Sequence, residues 1–245
     1  SHFIANNNPV ISSIICVNPA VIELARACDR ALRATGKLSG SLHGVPVLVK
    51  DNIETSDMPT TAGSLSLEGF CTGKDADLVR RLKAAGAIIL AKTNLHEFAI
   101  WGESISSIKG QTVNPYDLSR TPGGSSGGTG AALAANFGLV GIGTDTINSI
   151  RSPSSANNLV GIRPTVGLVS DDGIVPYSLT QDTAGPMARS IADAAEVLKV
   201  IAAKDLNEVH VSSSPRIGVL RSFFGSEPVN AEVNLAMAQV LAELG

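Results

Sequence analysis

Segments that favour β-strands alternate with segments that favour α-helices along most of this chain of 245 residues. Runs rich in branched apolar residues, some with glycine, predict strands at residues 10–17, 45–50, 87–91, 138–145 and 216–221. Stretches with apolar residues at helical spacing predict helices at residues 19–36, 75–86, 127–137, 189–203 and 229–244. Such alternation is typical of an α/β protein, in which helices cover the faces of a sheet.

The predicted elements favour one large domain. Residues 1–203 contain most of them, residues 204–215 (KDLNEVHVSSSP) are linker-like, and residues 216–245 are expected to begin a second half of the same domain. Because the chain ends inside a predicted helix, we expect the fold to be incomplete at its C-terminus.

Composition and charge exclude several classes of function. The net charge of −3, without any cluster of Lys or Arg, argues against a nucleic-acid partner. Three cysteines and four scattered histidines fit neither a disulfide framework nor the spacing of metal ligands. No apolar run approaches the roughly 18 residues of a membrane span. The first residues lack a signal-peptide pattern, so a cytoplasmic location is expected for a chain whose natural N-terminus could lie further upstream.

Residues 121–130 (TPGGSSGGTG) form the most unusual segment of the sequence. Runs of glycine and serine are often flexible linkers, but here a proline precedes the run and an alanine-rich helix follows it. A glycine loop that leads into a helix can direct backbone N–H groups towards a ligand. The segment lacks the lysine of a phosphate-binding loop, and the glycines of residues 138–143 do not fit a dinucleotide-binding fingerprint.

Residues 123–127 also fit the GxSxG pattern of the α/β-hydrolase nucleophile elbow. That fold requires a strand immediately before the serine and a histidine later in the chain. Residues 114–122 are turn-like instead, and His210, the only later histidine, lies in the linker-like stretch. The pattern leaves this alternative open without favouring it.

Two further segments carry candidate chemistry. Residues 143–153 (GTDTINSIRSP) follow a predicted strand and contain several hydroxyl groups. Lys50 ends the apolar strand at residues 45–50, where a lysine is normally a solvated charge. Lys50 becomes a candidate functional residue only if its side chain points inward.

Together with five other segments in the same order, these three resemble the amidase signature family. The eight segments are residues 43–52, 60–64, 82–94, 114–115, 122–128, 143–151, 161–167 and 182–190. Within the family the chain looks most like the peptide amidases, because of residues 167–176 (GLVSDDGIVP) and 178–187 (SLTQDTAGPM). The resemblance implies an α/β/α sandwich around a mixed, largely parallel β-sheet, and it implies no cofactor.

The resemblance also implies a catalytic triad. It places the family's lysine at Lys50, the serine that follows a cis peptide bond at Ser125, and the nucleophile at Ser149, all within residues 1–203. The implied oxyanion hole consists of the backbone N–H groups of Thr146, Ile147, Asn148 and Ser149. The implied supporting residues are Gly124, Ser126, Asp145 and Arg151.

Such a triad requires a neutral lysine. Ser149 is a poor nucleophile until a base accepts its proton, and a charged ammonium group cannot accept one. Lowering the pKa of a lysine from about 10.4 to about 7 costs roughly 4.6 kcal/mol. Burial and hydrogen bonds among hydroxyl groups must supply this shift, so we expect Lys50 to be buried.

The chain departs from the family pattern in two respects. Ile147 and Asn148 stand where the family usually has two glycines, and a left-handed backbone is unfavourable for isoleucine. Either the loop accepts side chains or the oxyanion hole is distorted. The chain is also much shorter than typical members, and the sequence indicates neither the particular amide nor the oligomeric state.

We expect an enzyme, a serine amidase that hydrolyses the non-cyclic C–N bond of a small-molecule or peptide amide. One alternative is the A subunit of a tRNA-dependent glutamine amidotransferase, although the usual Leu-Asp-Gln motif of that protein reads Gln181-Asp182-Thr183 here. Another alternative is a catalytically dead family member that acts as a scaffold. Phe98 and Trp101 are expected in the core, with the acyl pocket as the alternative position.

Overall fold

A computed structural model gives the structure of residues 2–206 and 217–244. Contacts within the chain divide it into two units, Ser1–Leu206 and Asn207–Gly245. Residues 1–203, the predicted core, all belong to the first unit. Most of the linker-like stretch at residues 204–215, including His210, lies outside the described residues.

Strands of the first unit form a six-stranded sheet and a separate hairpin. In chain order they are β1 (Ile14–Val17), β2 (Pro46–Lys50), β3 (Ile88–Thr93), β4 (Ile105–Ser106), β5 (Gly110–Gln111), β6 (Val140–Asp145), β7 (Val160–Gly161) and β8 (Thr183–Ala188). The order in the large sheet is β1-β3-β2-β6-β8-β7, and the three strands β3, β2 and β6 are parallel. The outer pairings are antiparallel, so β7 has the same direction as β6 and the sheet is mixed.

Helices cover both faces of this sheet. The helices of the described residues are α1 (His2–Ile11), α2 (Val21–Thr35), α3 (Asp77–Ala84), α4 (Gly127–Ala134), α5 (Arg151–Ala156), α6 (Ile191–Ile201) and, in the second unit, α7 (Ala231–Glu243). Over the stretches that the structure describes, no helix combines the length and apolar character that crossing a membrane requires.

Side chains of β2 alternate between two buried clusters, one on each face. Val47 and Val49 belong to the cluster that includes residues of α3 and α6, whereas Leu48 belongs to the cluster that includes residues of α1 and α4. This period of two is the normal geometry of a strand that is buried on both faces. The predicted α/β/α sandwich around a mixed sheet is therefore confirmed.

The predicted strand at residues 10–17 was wrong in part, and the predicted strand at residues 216–221 was wrong. Residues 10 and 11 complete α1, and the chain turns at Ser12, whose φ is 50°, before β1 begins at Ile14. Residues 217–220 are exposed and pair with no described strand, and Arg221–Phe223 is a 3-10 helix. High β-propensity does not make a strand where no partner strand is available.

Four strands were not predicted: the two-residue strands β4, β5 and β7, and the longer β8. β8 contains Gly185 and Pro186, residue types that are rare inside strands. It nevertheless pairs with β6 over its whole length and with β7 on its other side. Its tertiary environment therefore overrides its weak local preference.

The ends of two adjacent parallel strands bring the candidate chemistry together. β2 ends at Lys50 and β6 ends at Asp145, and because the two strands are parallel these residues lie at the same edge of the sheet. Binding sites of α/β proteins form outside the carboxyl ends of parallel strands. The glycine-serine segment reaches the same edge just before α4 begins at Gly127.

Candidate active site

Lys50 points into the protein and contacts hydroxyl groups. Its side chain is fully buried, and Nζ lies 2.7 Å from Oγ of Ser125 and 2.8 Å from Oγ1 of Thr144. Nδ2 of Asn52 also donates to Oγ1 of Thr144, over 3.1 Å. Thr144 is therefore held from two sides while it contacts the lysine, and no carboxylate contacts Nζ directly among the described hydrogen bonds and ion pairs.

This environment favours a neutral amine. Burial lowers the pKa of Lys50 to about 7 from its ordinary value of 10.5, although the negative charges of Asp145 and Asp182 act in the opposite direction. Burial of a charge without a paired counter-ion is the usual cause of such a shift. At neutral pH Lys50 is thus partly unprotonated and able to accept a proton.

A second buried lysine has a different environment. Lys92 in β3 lies level with Val49 in the pairing of β2 and β3, and its Nζ is 3.1 Å from Oδ1 of Asp51. Burial lowers the pKa of Lys92, but the adjacent Asp51 carboxylate raises it. Lys92 is therefore part of a buried ion pair, whereas Lys50 has only hydroxyl and carbonyl partners.

The loop that carries Ser125 is fixed by the packing of its backbone. The Gly124–Ser125 peptide bond is cis, Ser125 is fully buried, and its carbonyl oxygen accepts a hydrogen bond of 3.1 Å from the N–H of His96. A Cβ atom at Gly124 would lie 2.7 Å from the carbonyl carbon of Gly102. Only glycine fits at position 124, which explains why the sequence is so rich in glycine here.

Ser126 connects this loop to the backbone of Ser149 and to β6. Its N–H donates to the carbonyl oxygen of Ser149 over 3.2 Å, and its hydroxyl donates to the carbonyl oxygen of Thr144 over 3.1 Å. These two bonds hold Ser149 and the end of β6 against the Ser125 loop. The supporting role of Ser126 remains a prediction.

The backbone of Ser149 is joined to Ser126, the residue after Ser125, but no described hydrogen bond links the Ser149 side chain to Lys50 or Ser125. The side chain of Ser149 is 8% exposed, and among the described residues no hydrogen bond joins Oγ of Ser149 to Oγ of Ser125. The structure therefore brings Lys50 and Ser125 into direct contact and positions Ser149 through its backbone. Catalytic hydrogen bonds are often long or absent until a substrate is bound.

The carbonyl and N–H groups of residues 146–149 differ in their hydrogen bonding. The carbonyl oxygens accept hydrogen bonds from Nη2 of Arg151 at Ile147, from the N–H of Ser152 at Asn148 and from the N–H of Ser126 at Ser149. The N–H groups of the four residues donate no hydrogen bond within the described part of the chain. Three of the four carbonyl groups therefore have partners, whereas the four N–H groups have none among the described residues.

Ile147 and Asn148 are compatible with this backbone. Neither residue has a positive φ, so the loop does not require the left-handed conformation that only glycine adopts easily. Of the two possibilities that the sequence left open, the structure has a loop that accepts side chains.

The carboxylate of Asp145 accepts hydrogen bonds from residues at the end of the same loop. Its Oδ2 accepts hydrogen bonds from the N–H of Ile150 and from Nε of Arg151, and Nε of Arg163 lies 3.4 Å from its Oδ1. Burial raises the pKa of this carboxyl group, but the hydrogen bonds from Arg151 and Ile150 outweigh burial and hold the pKa below its usual range. Asp145 therefore remains charged and keeps the turn after β6 in place.

Three residues of this arrangement were not identified from the sequence. Thr144 and Asn52 contact Lys50 or its partner, and Asp182 accepts hydrogen bonds from Oγ1 of Thr146 and from the N–H of Tyr177. Thr144 lies one residue before the predicted support Asp145, and Asn52 two residues after Lys50. The sequence signal available for Thr144 and Asn52 was a hydroxyl or amide side chain at or just after the end of a predicted strand.

An open cavity of about 410 Å³ adjoins Ser149. It is lined by residues 99–103, by residues 146–149 and by Tyr177. Trp101 is one of these lining residues and is 66% exposed, so the expectation that it lies in the core was wrong. Phe98 is also partly exposed, at 38%.

The geometry contradicts the nucleophile-elbow alternative. The residues directly before Ser125 are irregular rather than a strand, and the basic group that contacts Ser125 is the amine of Lys50. Within the described ranges, no group of three His, Cys, Asp or Glu side chains is close enough together to hold a metal ion.

Comparison with known proteins identifies the class. Residues 2–245 match the family model described as Amidase, and the chain belongs to this family. The resemblance to the amidase signature family is thereby confirmed.

Three of the relatives show the extent of the similarity. The structure of a peptide amidase from Stenotrophomonas maltophilia has 50% sequence identity and a TM-score of 0.79, over 83% of this chain and 43% of that chain. Another structure, described as an amidase, has 35% identity and a TM-score of 0.89, over 99% of this chain and 55% of that chain. The A subunit of the Glutamyl-tRNA(Gln) amidotransferase of Symbiobacterium thermophilum is 41% identical over 99% of this chain and 53% of the relative. The chain thus spans about half the length of the relatives it matches.

Proposed function

We propose that this chain carries the catalytic residues of a serine amidase, which hydrolyses a linear carboxylic amide to an acid and an amine or ammonia. The observation that carries the proposal is the contact of 2.7 Å between Nζ of Lys50 and Oγ of Ser125, with both groups fully buried. A lysine whose pKa is about 7 in such a place can act as a base near neutral pH.

In the proposed acylation step, Oγ of Ser149 attacks the carbonyl carbon of the amide. Its proton passes to Ser125, whose own hydroxyl proton passes to Nζ of Lys50. The carbonyl oxygen becomes an oxyanion, which the N–H groups of residues 146–149 bind. A preformed donor of this kind typically contributes about 3 kcal/mol to transition-state stabilisation.

The C–N bond then breaks, and Lys50 returns the proton through Ser125 to the leaving nitrogen. An ester between the acyl group and Ser149 remains. Water attacks this ester, with Ser125 and Lys50 accepting its proton, and the acid leaves as the proton returns to Ser149. No group is oxidised or reduced, and the enzyme ends in its starting state.

The names of several relatives favour a second candidate, the A subunit of a glutamine-dependent amidotransferase. Eight relatives with this name are 40–48% identical to the chain, and a solved structure with this name is 35% identical. In that case glutamine would be the amide and other subunits would be partners. Release of ammonia from glutamine, in preference to other amides, would support this candidate.

Labelling with a fluorophosphonate tests the proposed nucleophile. We expect the probe to modify Ser149, as mapped by mass spectrometry, and Ser149→Ala to abolish the modification. Lys50→Met should slow labelling at least about 100-fold, the usual minimum contribution of a general base. Ser154→Ala is the matched control, because Ser154 is a buried serine, 3% exposed, whose hydroxyl has no hydrogen-bond partner among the described residues.

Labelling that survives Ser149→Ala would overturn the assignment of the nucleophile. Absence of labelling from a folded protein would instead favour the dead-scaffold alternative. Where Ser149→Ala abolishes labelling, retention of labelling in Ser154→Ala shows that a lost serine hydroxyl does not by itself disturb the fold.

A further inference from the structure

The cavity beside Ser149 has an apolar wall. Ile100, Trp101, Ile147 and Tyr177 all line it, and their side chains are 53%, 66%, 68% and 46% exposed. Large apolar side chains that share one concave surface next to candidate catalytic groups are typical of a ligand pocket. The wall therefore indicates the chemistry of the group that the cavity accepts.

Ile147 is the unusual member of this wall. It stands where the family usually has glycine, and its backbone is held by the bond that its carbonyl oxygen accepts from Arg151. Its side chain makes a surface that glycine could not provide. Ile147 also contributes one of the N–H groups of the proposed oxyanion hole. Its side chain is therefore next to the position of the reacting carbonyl group of the substrate.

The position of the wall indicates which part of a substrate meets it. A bound amide has three groups on its carbonyl carbon: the oxygen, the leaving nitrogen and the acyl substituent. In the proposed mechanism the oxygen faces the N–H groups of residues 146–149, and the nitrogen must face Ser125 to receive its proton. Neither Lys50 nor Ser125 lines the cavity, so the acyl substituent is the group left to occupy it.

We infer that this cavity binds an apolar acyl substituent, aliphatic or aromatic, and that Ile147 is a specificity-determining residue for it. The inference rests on the proposed function, because that function defines which side of the substrate is which. Contact with the wall removes apolar surface of both partners from water. Burial of a side chain of the size of leucine favours binding by about tenfold or more.

Trp101 allows this inference to be tested without catalysis, because it is the only tryptophan of the sequence. In the Ser149→Ala variant, tryptophan emission should shift saturably to shorter wavelength on titration with hexanamide. Glutaramide, which has similar length but a polar end, should bind at least about tenfold more weakly. Ile147→Thr should weaken hexanamide binding several-fold while leaving glutaramide binding little changed.

A matched control separates the local effect from a general one. Ile191, at the start of α6, is 73% exposed and does not line the cavity, so Ile191→Thr should not alter either titration. Ile147→Gly provides a second variant, which removes the side chain altogether and should reduce the preference for hexanamide further.

The outcomes distinguish this inference from the proposed function. Equal binding of hexanamide and glutaramide, or a preference that is unchanged in both Ile147 variants, would overturn the inference even if Ser149 is labelled by the fluorophosphonate. A preference that depends on Ile147 would support the apolar pocket, and failure of Ser149 to be labelled would then count against the catalytic assignment alone.

Discussion

The protonation of Lys50 depends on a balance between two opposing effects. Burial favours the neutral amine, whereas Asp145 and Asp182 favour the charged form. The balance gives a pKa of about 7 for Lys50, close to the ideal value for a base that operates at neutral pH. If Lys50 is the base, kcat/KM should rise with pH through a midpoint near 7 and reach a plateau above it, because only the unprotonated amine accepts the proton.

Substitution of Asp182 tests this balance. Asp182→Asn removes a negative charge that raises the pKa of Lys50, so the midpoint of the pH profile should move to lower pH by several tenths of a unit. Asp171→Asn is the control: Asp171 lines the same cavity of about 240 Å³ as Asp182 but is not among the charges that shift Lys50.

The pH dependence of kcat/KM would be measured for the three proteins with one amide. A midpoint that moves to higher pH in Asp182→Asn, or that moves equally in both variants, would contradict the assignment of Lys50 as the base.

The sequence identified some residues of this site better than others. Lys50, Ser125 and Ser149 could be named because each stands in a segment that resembles a family motif. Thr144 and Asp182 also stand in such segments but were not named, because their contacts depend on the pairing of β6 with its neighbours and on the turn that precedes β8. Such contacts join residues far apart in the chain, and local patterns do not reveal them.

At the scale of elements, close packing of α4 against β3 determines where the Ser125 loop lies. A Cβ atom at Gly128 would lie 2.1 Å from the carbonyl oxygen of Asn94, which follows β3 directly. A glycine in a helix is normally unfavourable, but here it permits a backbone-to-backbone approach. The first turn of α4 consequently fixes the loop that immediately precedes it.

Gly128→Ala should therefore destabilise the protein strongly. The methyl group would collide with backbone atoms that cannot move aside as a side chain can, and we expect a loss of about 3 kcal/mol or more in the free energy of unfolding. Urea denaturation would measure it. The control is Gly218→Ala, where an added Cβ atom meets nothing within 4 Å, and a similar small change in both variants would contradict the proposed packing.

The elements themselves were predicted unevenly, for physical reasons. Strands with branched apolar residues, such as β2, and helices with a clear apolar face, such as α3, are specified by local pattern. β8 depends instead on pairing with β6 and β7, and the end of α1 depends on burial of Ile11. Where tertiary contacts decide the structure, a local pattern does not predict it.

At the scale of the whole molecule, the core and the candidate site belong to one unit. Both buried clusters and all the proposed catalytic residues lie within Ser1–Leu206. In the second unit, the described residues 217–244 include no buried side chain. A segment without a core cannot fold stably by itself, so the first unit carries the stability of the described structure.

This division predicts the behaviour of a shortened chain. A protein that ends at Leu206 retains both clusters and every hydrogen bond described between Lys50, Ser125, Thr144 and Ser126. We therefore expect it to fold cooperatively and to be labelled at Ser149 at a rate within a few-fold of the 245-residue chain, since labelling requires only the nucleophile, its base and the oxyanion hole. Circular dichroism and mapped fluorophosphonate labelling of both proteins would measure the two properties. A shortened chain that folds but is not labelled would show that residues 207–245 contribute directly to the active site, and one that does not fold would show that they contribute to the core.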